Sequence, residues 1–386
     1  MNTNVIVLAA GPNGLGVVRG LHLKKIKVSV ITREQHDVSN DSRLPQHKHL
    51  LHGNDNQQFS QLLNVLQNQA KNTVIIPTSD WFVSFLSQHT EQLSANCLFT
   101  LPPVEISELL IDKALETEFI STVAPIPKTV QKITDQDSLI TALSLPIIIK
   151  PRSHKHMVLG KKNILLYSEQ DVTEFFAEFS DKLTHLIAQQ VILGDDNTQW
   201  VCNCVFDNQS NLMQAFTFNR LRLSPSHYGV TSYAISQKNQ RVIELSEKIG
   251  KALKYLGPAM VEFKFDSTDG EYKYIEINPR LGMCNYFDTV GGINNPYATL
   301  LLANNQDLPN EPVMRDGIIF LSFFEDFYSR RSDGETFFSI IKDYARDVFK
   351  PHVFIYFVWW DAKPALKLAL RQLSQLWRSL YKKIFN

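Results

Sequence analysis

Between Val261 and Arg280 the chain spaces two carboxylates, an amide and two cations in a pattern that could do chemistry. Glu262 and Lys264 alternate with apolar residues in Val-Glu-Phe-Lys-Phe-Asp, and Glu276 and Asn278 do the same in Tyr-Lys-Tyr-Ile-Glu-Ile-Asn-Pro-Arg. Successive strand side chains point to opposite faces, so each pair shares one face of its strand. Ser267-Thr268-Asp269-Gly270 supplies turn chemistry between the two runs and predicts a β-hairpin. If the faces coincide, Glu262, Glu276 and Asn278 form an all-oxygen cluster. Hard divalent cations such as Mg2+ take such donors together with phosphate oxygens and water. Arg280 follows the second strand, within reach of the same pocket. A surface hairpin with ordinary exposed charges is the competing expectation, so it matters what else the chain offers such a site.

The 386 residues predict two or three domains, and 44% hydrophobic with 20% charged residues describe an ordinary globular protein. A formal net charge of zero argues against nucleic acid as the main partner, which would need a large basic surface. Cys97, Cys202, Cys204 and Cys284 make no disulfide framework or zinc set, and no basic, export-type region precedes Val5–Ala10. A cytoplasmic protein is expected. The late apolar run 353–360 is too short to span a bilayer.

The apolar run 5–10, then Gly11-Pro12-Asn13-Gly14-Leu15-Gly16, a helical pattern through Leu23 and a second run at 27–32 predict a doubly wound α/β opening. Asn13 stands where a dinucleotide fingerprint needs glycine, and the second strand ends in Thr32-Arg33 in place of a ribose-binding acid. NAD is therefore disfavoured, which leaves a helix N-terminus expected to offer its amides to some other anion, such as a carboxylate. His47, His49 and His52 match no metal-ligand spacing and are expected to be solvated loop residues. One helix is expected from Ser107 to about Ile120, and the run from Leu145 to Arg152 reads as a buried strand emerging at a lysine, Lys150. Strands interleaved with single helices then suggest an α+β unit up to the hairpin. At the end, Leu366, Leu370, Leu373, Leu376, Trp377, Leu380 and Ile384 form a helical stripe, with Lys363, Lys367, Arg371, Arg378, Lys382 and Lys383 on the other face. Such a helix lies on an anionic membrane or a partner, or packs against its own body, and the last is the simpler expectation.

In this order, the motifs resemble those of the ATP-grasp carboxylate–amine ligases, the group that includes D-aspartate ligase of cell-wall synthesis. The resemblance rests on the Gly-x-x-Gly-Leu-Gly opening, Pro77-Thr78-Ser79-Asp80, Asp112-Lys113 followed by Pro125–Thr129, and Ile148-Ile149-Lys150-Pro151-Arg152. It continues through Gln189–Asp196 and Glu262…Glu276-Ile277-Asn278-Pro279-Arg280. It implies ATP as cofactor, with Lys113 and Lys150 on its phosphates, Gln189, Gln190, Val191 and Ile192 on adenine, and Asp196 on the ribose. Many relatives carry Glu where Gln189 or Gln190 stands, and an amide oxygen can still accept from the adenine amino group. It implies Glu262, Glu276 and Asn278 as ligands of Mg2+, with Mn2+ as an alternative, and Arg280 as the catalytic arginine that stabilises the acyl phosphate. Arg220 and Arg222 resemble a segment that meets the acid substrate, although two strand arginines could equally form a solvated edge. The covering loop, Ser153–Lys162, has a single glycine, so His154, Lys155, Lys161 or Lys162 are expected to contact phosphate by side chain.

The resemblance thus implies a Rossmann-like pre-ATP-grasp domain over 1–106, an ATP-grasp domain over 107–310 and a C-terminal extension with a basic amphipathic helix over 311–386. The implied activity is amide formation between a carboxylate and an amine, on a cell-wall precursor or a surface-polysaccharide uronate, in the cytoplasm and with peripheral membrane contact an option. An oligomer is compatible with this. A non-catalytic ATP-binding subunit with a regulatory or scaffolding role is the alternative.

Overall fold

The computed structural model describes residues 4–153, 158–161, 163–227, 229–309 and 312–385. Five strands open the chain: β1 (Val5–Ala9), β2 (Ser29–Thr32), β3 (Lys48–Leu50), β4 (Thr73–Pro77) and β5 (Cys97–Leu98). They form one parallel sheet in the order β3-β2-β1-β4-β5. β1 and β4 are buried on both faces, which is why their sequences run apolar without alternation. This is the Rossmann-like opening that the glycine-rich turn predicts.

The turn meets a carboxylate from within the chain. The Gly11 amide donates to Asp37 Oδ2 at 2.6 Å and the Ala10 amide to Thr78 Oγ1 at 2.9 Å. The anion at this helix N-terminus is the chain's own Asp37. Gly16 serves packing, because a Cβ there would lie 2.4 Å from Asn285 Oδ1.

A second, antiparallel sheet follows: β6 (Thr129–Val130), β7 (Ile147–Pro151), β8 (Ile164–Leu166) and β9 (Leu186–Gln190), ordered β6-β9-β7-β8. Leu139, Val172, Phe175 and Phe179, from the two helices between its strands, close its core with Ile147 and Ile149. The third sheet has seven strands in the order β14-β13-β10-β11-β12-β15-β16. These are β10 (Gln199–Phe206), β11 (Leu212–Ser224), β12 (Val230–Ser236), β13 (Gly257–Asp266), β14 (Glu271–Asn278), β15 (Ile319–Leu321) and β16 (His352–Phe354). The last two come from the region expected to be a helical extension, so that region also lengthens the large sheet. All four cysteines are buried free thiols.

Two details position the site. The single helix expected from Ser107 is two helices, Val104–Ile111 and Lys113–Ser121. They break at Asp112, whose carboxylate caps the amides of Ala114 (2.9 Å) and Leu115 (3.2 Å). An aspartate competes well for a helix N-terminus, so Lys113 stands on the first turn of the new helix. Farther on, Arg19 is fully buried and ties the C-terminal segment to the first helix. It donates to Asp361, and to the carbonyls of Ile355 and Tyr356 at 3.0 and 2.9 Å. The final helix, Lys363–Phe385, then docks by its charged side: Lys367 and Arg371 both pair with Asp41. Internal packing of the leucine stripe is overturned for Leu366, Leu370 and Leu373, which point to solvent. The reason is that a buried carboxylate, Asp41, claims the cationic face.

Candidate active site

The hairpin forms as expected, and its two strands register so that Glu262 lies directly opposite Glu276. The carboxylates therefore share a face. Asn278 continues it and donates to Glu276 Oε1 at 3.2 Å. Glu262 is held by Arg220 through two bonds of 2.6 and 2.7 Å. Glu276 lies 3.5 Å from Lys113 Nζ, which also pairs with buried Glu116 at 3.8 Å. Burial works against the charge of Lys113, but Glu116 and Glu276 outweigh it and hold its pKa above the ordinary lysine range. Arg220 behaves alike: burial opposes its charge and Glu262 raises its pKa regardless.

Glu262, Glu276, Arg220 and Lys113 line a cavity of about 390 Å3 between the four-stranded and seven-stranded sheets. That is within the ~300–1,000 Å3 of pockets that enclose a ligand of cofactor size. Four cations reach it, Lys113, Lys150, Arg220 and Lys264, against the carboxylates Glu262 and Glu276. Arg220 Nε is buried with no acceptor. The cavity is built for a polyanion.

Apolar side chains, Ile148, Ile192, Leu223 and Ile275, line it as well. Gln189, Gln190, Val191 and Ile192 all line it. Gln189 is committed elsewhere, since its Oε1 accepts from Lys150 Nζ at 2.6 Å and its Nε2 donates to Thr129 at 3.0 Å. Gln190 Oε1 is buried and has no donor. A planar base with an exocyclic amino group would supply that donor.

The expected site residues divide accordingly. Nine of them, Lys113, Lys150, the run 189–192, Arg220, Glu262 and Glu276, line the one cavity. Arg222 does not. It forms a two-bond pair with Asp326 (2.8 and 2.9 Å) and lies over Tyr233. The pairing of β11 with β12 slips at Leu221, and this bulge breaks the alternation that would have put Arg222 beside Arg220. Asp196 sits at the rim, accepting from the Leu223 amide (3.2 Å) and His227 (3.1 Å), both cavity-lining residues. Asn278 lines a smaller cavity of about 150 Å3 that shares Lys113 and Glu276 with the first. Arg280 borders it, donating to Asp80 Oδ1 at 2.8 Å and Asn278 Oδ1 at 3.2 Å. His154, Lys155 and Lys162 of the covering loop lie outside the described residues.

Three contributors escape motif reading. Lys264 is signalled by its alternation with Glu262 and bonds Gly194 O at 3.0 Å. Glu116 is signalled by its i,i+3 spacing from Lys113. His227 has no local signal, because it arrives on a turn 31 residues from Asp196. Among the described residues no three His, Cys, Asp or Glu side chains converge as a metal set. The oxygens of Glu276, Glu262 and Asn278 suit Mg2+ nonetheless, since that ion keeps much of its shell as water and phosphate.

Comparison with known proteins follows the same outline. The family model of the carbamoyl-phosphate synthase L chain ATP-binding domain matches residues 113–310. The chain is 24% identical over 246 residues to a D-aspartate ligase of Enterococcus faecium, a match covering 59% of this chain and 58% of that protein. The chain thus spans under two thirds of that relative. Among solved structures, the biotin carboxylase domain of Hydrogenobacter thermophilus 2-oxoglutarate carboxylase aligns over 82% of this chain and 73% of its own, with a TM-score of 0.63 at 15% identity. N5-carboxyaminoimidazole synthetase from Staphylococcus aureus aligns over 81% and 80%, with a TM-score of 0.61 at 17% identity.

Proposed function

The chain belongs to the ATP-grasp family, with residues 113–310 as its ATP-binding domain of the carbamoyl-phosphate synthase type, and on that premise we propose that it is an ATP-dependent ligase joining a carboxylate to an amine. The observation that carries the proposal is the facing pair Glu262 and Glu276 in a cavity that four cations, apolar side chains and an unpaired amide acceptor also line. In this reading Gln190 Oε1 and the apolar walls hold adenine, and Asp196 with His227 stands at the ribose edge. Lys150, Lys113 and Arg220 follow the phosphates, with Arg220 Nε as the spare donor. Glu262, Glu276 and Asn278 would hold Mg2+, or Mn2+, which neutralises charge on the phosphates during transfer.

The chemistry needs no covalent nucleophile of the protein. A substrate carboxylate oxygen attacks the γ-phosphorus, the bond to the β–γ bridging oxygen breaks, and ADP leaves. The amine nitrogen then adds to the acyl carbon of the acyl phosphate. The tetrahedral adduct loses a proton and expels inorganic phosphate, leaving an amide. Positioning and charge neutralisation carry such steps, and the clustered cations supply both. Arg280 bonds Asp80 and Asn278, two residues of the smaller cavity, and is poised to exchange Asp80 for the oxyanion of the adduct. The D-aspartate ligase relative supports an amino acid as one substrate, and a cell-wall or surface-polysaccharide precursor is proposed as the other. Dependence on ATP and four free buried thiols suit the cytoplasm.

ADP and phosphate release with Mg-ATP, measured across panels of amino acids, uronates and amines, tests this reading. Turnover is expected to require one acid and one amine, and Glu276→Gln is expected to lower it by about 10²–10³-fold, the scale of losing one group that stabilises transition-state charge. Tight ATP binding without turnover for any pair would favour a non-catalytic ATP-binding subunit.

A further inference from the structure

We propose that the C-terminal helix Lys363–Phe385 docks the protein on an anionic lipid surface, with the leucine stripe inserted at the interface. The proposal is independent of the ligase reading. Leu366, Leu370 and Leu373 are 62%, 65% and 55% exposed, on one face of the helix at spacings of four and three. Beside the start of the helix, Trp359 is 83% exposed. In the sequence Trp377, Leu380 and Ile384 carry the same spacing onward. A globular protein seldom leaves such a continuous apolar row in water without a use for it.

The exposure is built in. Asp41 is 3% exposed, and its two oxygens accept separately from Lys367 Nζ at 2.9 Å and from Arg371 at 2.7 Å. Arg371 also donates to His36 O at 3.0 Å. Rolling the helix to hide its leucines would break all three contacts and leave Asp41 buried and unpaired, a costly state. The ion pairs therefore fix which face looks outward.

Charge identifies the occupant. Lys367 and Arg371 are held by Asp41, and the helix carries Lys363, Arg378, Lys382 and Lys383 besides and no acid, in a chain whose net charge is zero. Lys48 lies close enough to Lys363 and Lys367 that, with burial as the larger cause, their charges help lower its pKa. A second copy seated beside this helix by a twofold axis would set one acid-free cationic helix against another. An anionic bilayer instead attracts the cations, while leucines and an exposed tryptophan settle at the headgroup level. No helix among the described residues is long and apolar enough to cross a membrane, so this one would lie in the interface plane.

The test is co-sedimentation of the full chain with vesicles of phosphatidylcholine alone or of phosphatidylcholine and phosphatidylglycerol in equal parts, at low and high salt. Binding to the anionic vesicles, weakened by salt, is expected. Leu366→Ser/Leu370→Ser/Leu373→Ser should weaken it by about tenfold or more, because the transferable apolar area is removed. Lys363→Glu, which keeps the leucines, should weaken it by about tenfold through the lost lipid attraction. An unchanged thermal shift on adding Mg-ATP would show that each variant remains folded. Failure of the wild type to bind anionic vesicles, or full binding by the triple variant, overturns the proposal. A concentration-dependent dimer that the triple variant abolishes, in a protein indifferent to vesicles, would assign the face to a second copy.

Discussion

Replacing Arg220 by methionine should destabilise the protein yet leave Glu262 readier for a cation. The two side chains exchange bonds of 2.6 and 2.7 Å and are 8% and 12% exposed, so solvent screens the pair little. Methionine replaces the stem of the arginine but leaves Glu262 without its partner, and breaking a buried pair in this way costs about 3–5 kcal/mol. Glu262 faces the cavity with Lys264 on the same strand face, which relieves part of the penalty and favours the lower end, about 3 kcal/mol. At ~2–4 °C per kcal/mol, the melting temperature should fall by about 6–12 °C. Differential scanning fluorimetry with and without MgCl2 reads both parts of the effect. Mg2+ without nucleotide should raise the melting temperature of the variant more than that of the wild type, because both Glu262 oxygens are released. Adding Glu262→Leu should recover most of the lost stability and remove the Mg2+ response, since an apolar pair then replaces an ion pair. A single variant that melts within about 1 °C of the wild type refutes a buried pair of this strength. A large loss with no Mg2+ response refutes Glu262 as a metal ligand.

Two further outcomes are expected. Gln190→Ala should raise the KM for ATP by about tenfold, the worth of a hydrogen bond to one buried acceptor. It should narrow the preference over GTP, whereas Gln189→Ala should act on kcat through Lys150; steady-state ADP release with both nucleotides separates the two. Burial pushes the Asp288 carboxyl up to about 8, although donors from Asn203 and Asn295 pull the other way. The unfolded chain releases this proton near the ordinary aspartate value and the folded chain keeps it. The stabilisation is therefore full below the unfolded pKa and is lost as pH rises from about 4 to about 8, at up to ~1.4 kcal/mol per pH unit. Urea titrations across that range should show the slope, and Asp288→Asn should flatten it.

The parts of the site that were legible in the sequence are those set by short-range geometry. A strand with period two and a turn of known chemistry place Glu262 opposite Glu276, and an apolar run ending in lysine places Lys150 at a strand end. What escaped depends on contacts far apart in the chain or on a single slipped residue. The bulge at Leu221 turns Arg222 toward Asp326, 104 residues away. Arg280 meets Asp80 from 200 residues away. The choice between Gln189 and Gln190 rests on Lys150 and Thr129, 39 and 60 residues distant. The glycine-rich turn was legible only in part for the same reason, because Asp37 fills a place that looks open when only the turn is read.

The two walls of the cavity belong to different cores. Ile147, Ile149, Val172 and Ala188 close the small sheet's core, built wholly from residues 130–188. The hairpin's wall is backed by Val261, Phe263 and Tyr274 with the helix Gln240–Ala252, and these residues are absent from the first cluster. Each wall also bonds largely within itself. Lys150, Gln189 and Thr129 bond among themselves on one side, and Arg220 with Glu262 and Lys113 with Glu276 on the other. Joining them are backbone bonds such as Lys113 N to Arg152 O, the Arg152–Asp112 pair and Tyr274 N to Pro125 O. Shared polar contacts at the margin of an interface hold two bodies in register without fusing them, since such pairs contribute little stability when part-exposed. A polyanion with an apolar base would touch both walls at once, neutralising cations of each and burying the apolar faces between them. The free energy of that contact is available for drawing the walls together, which ties the geometry of phosphoryl transfer to occupancy by the whole nucleotide.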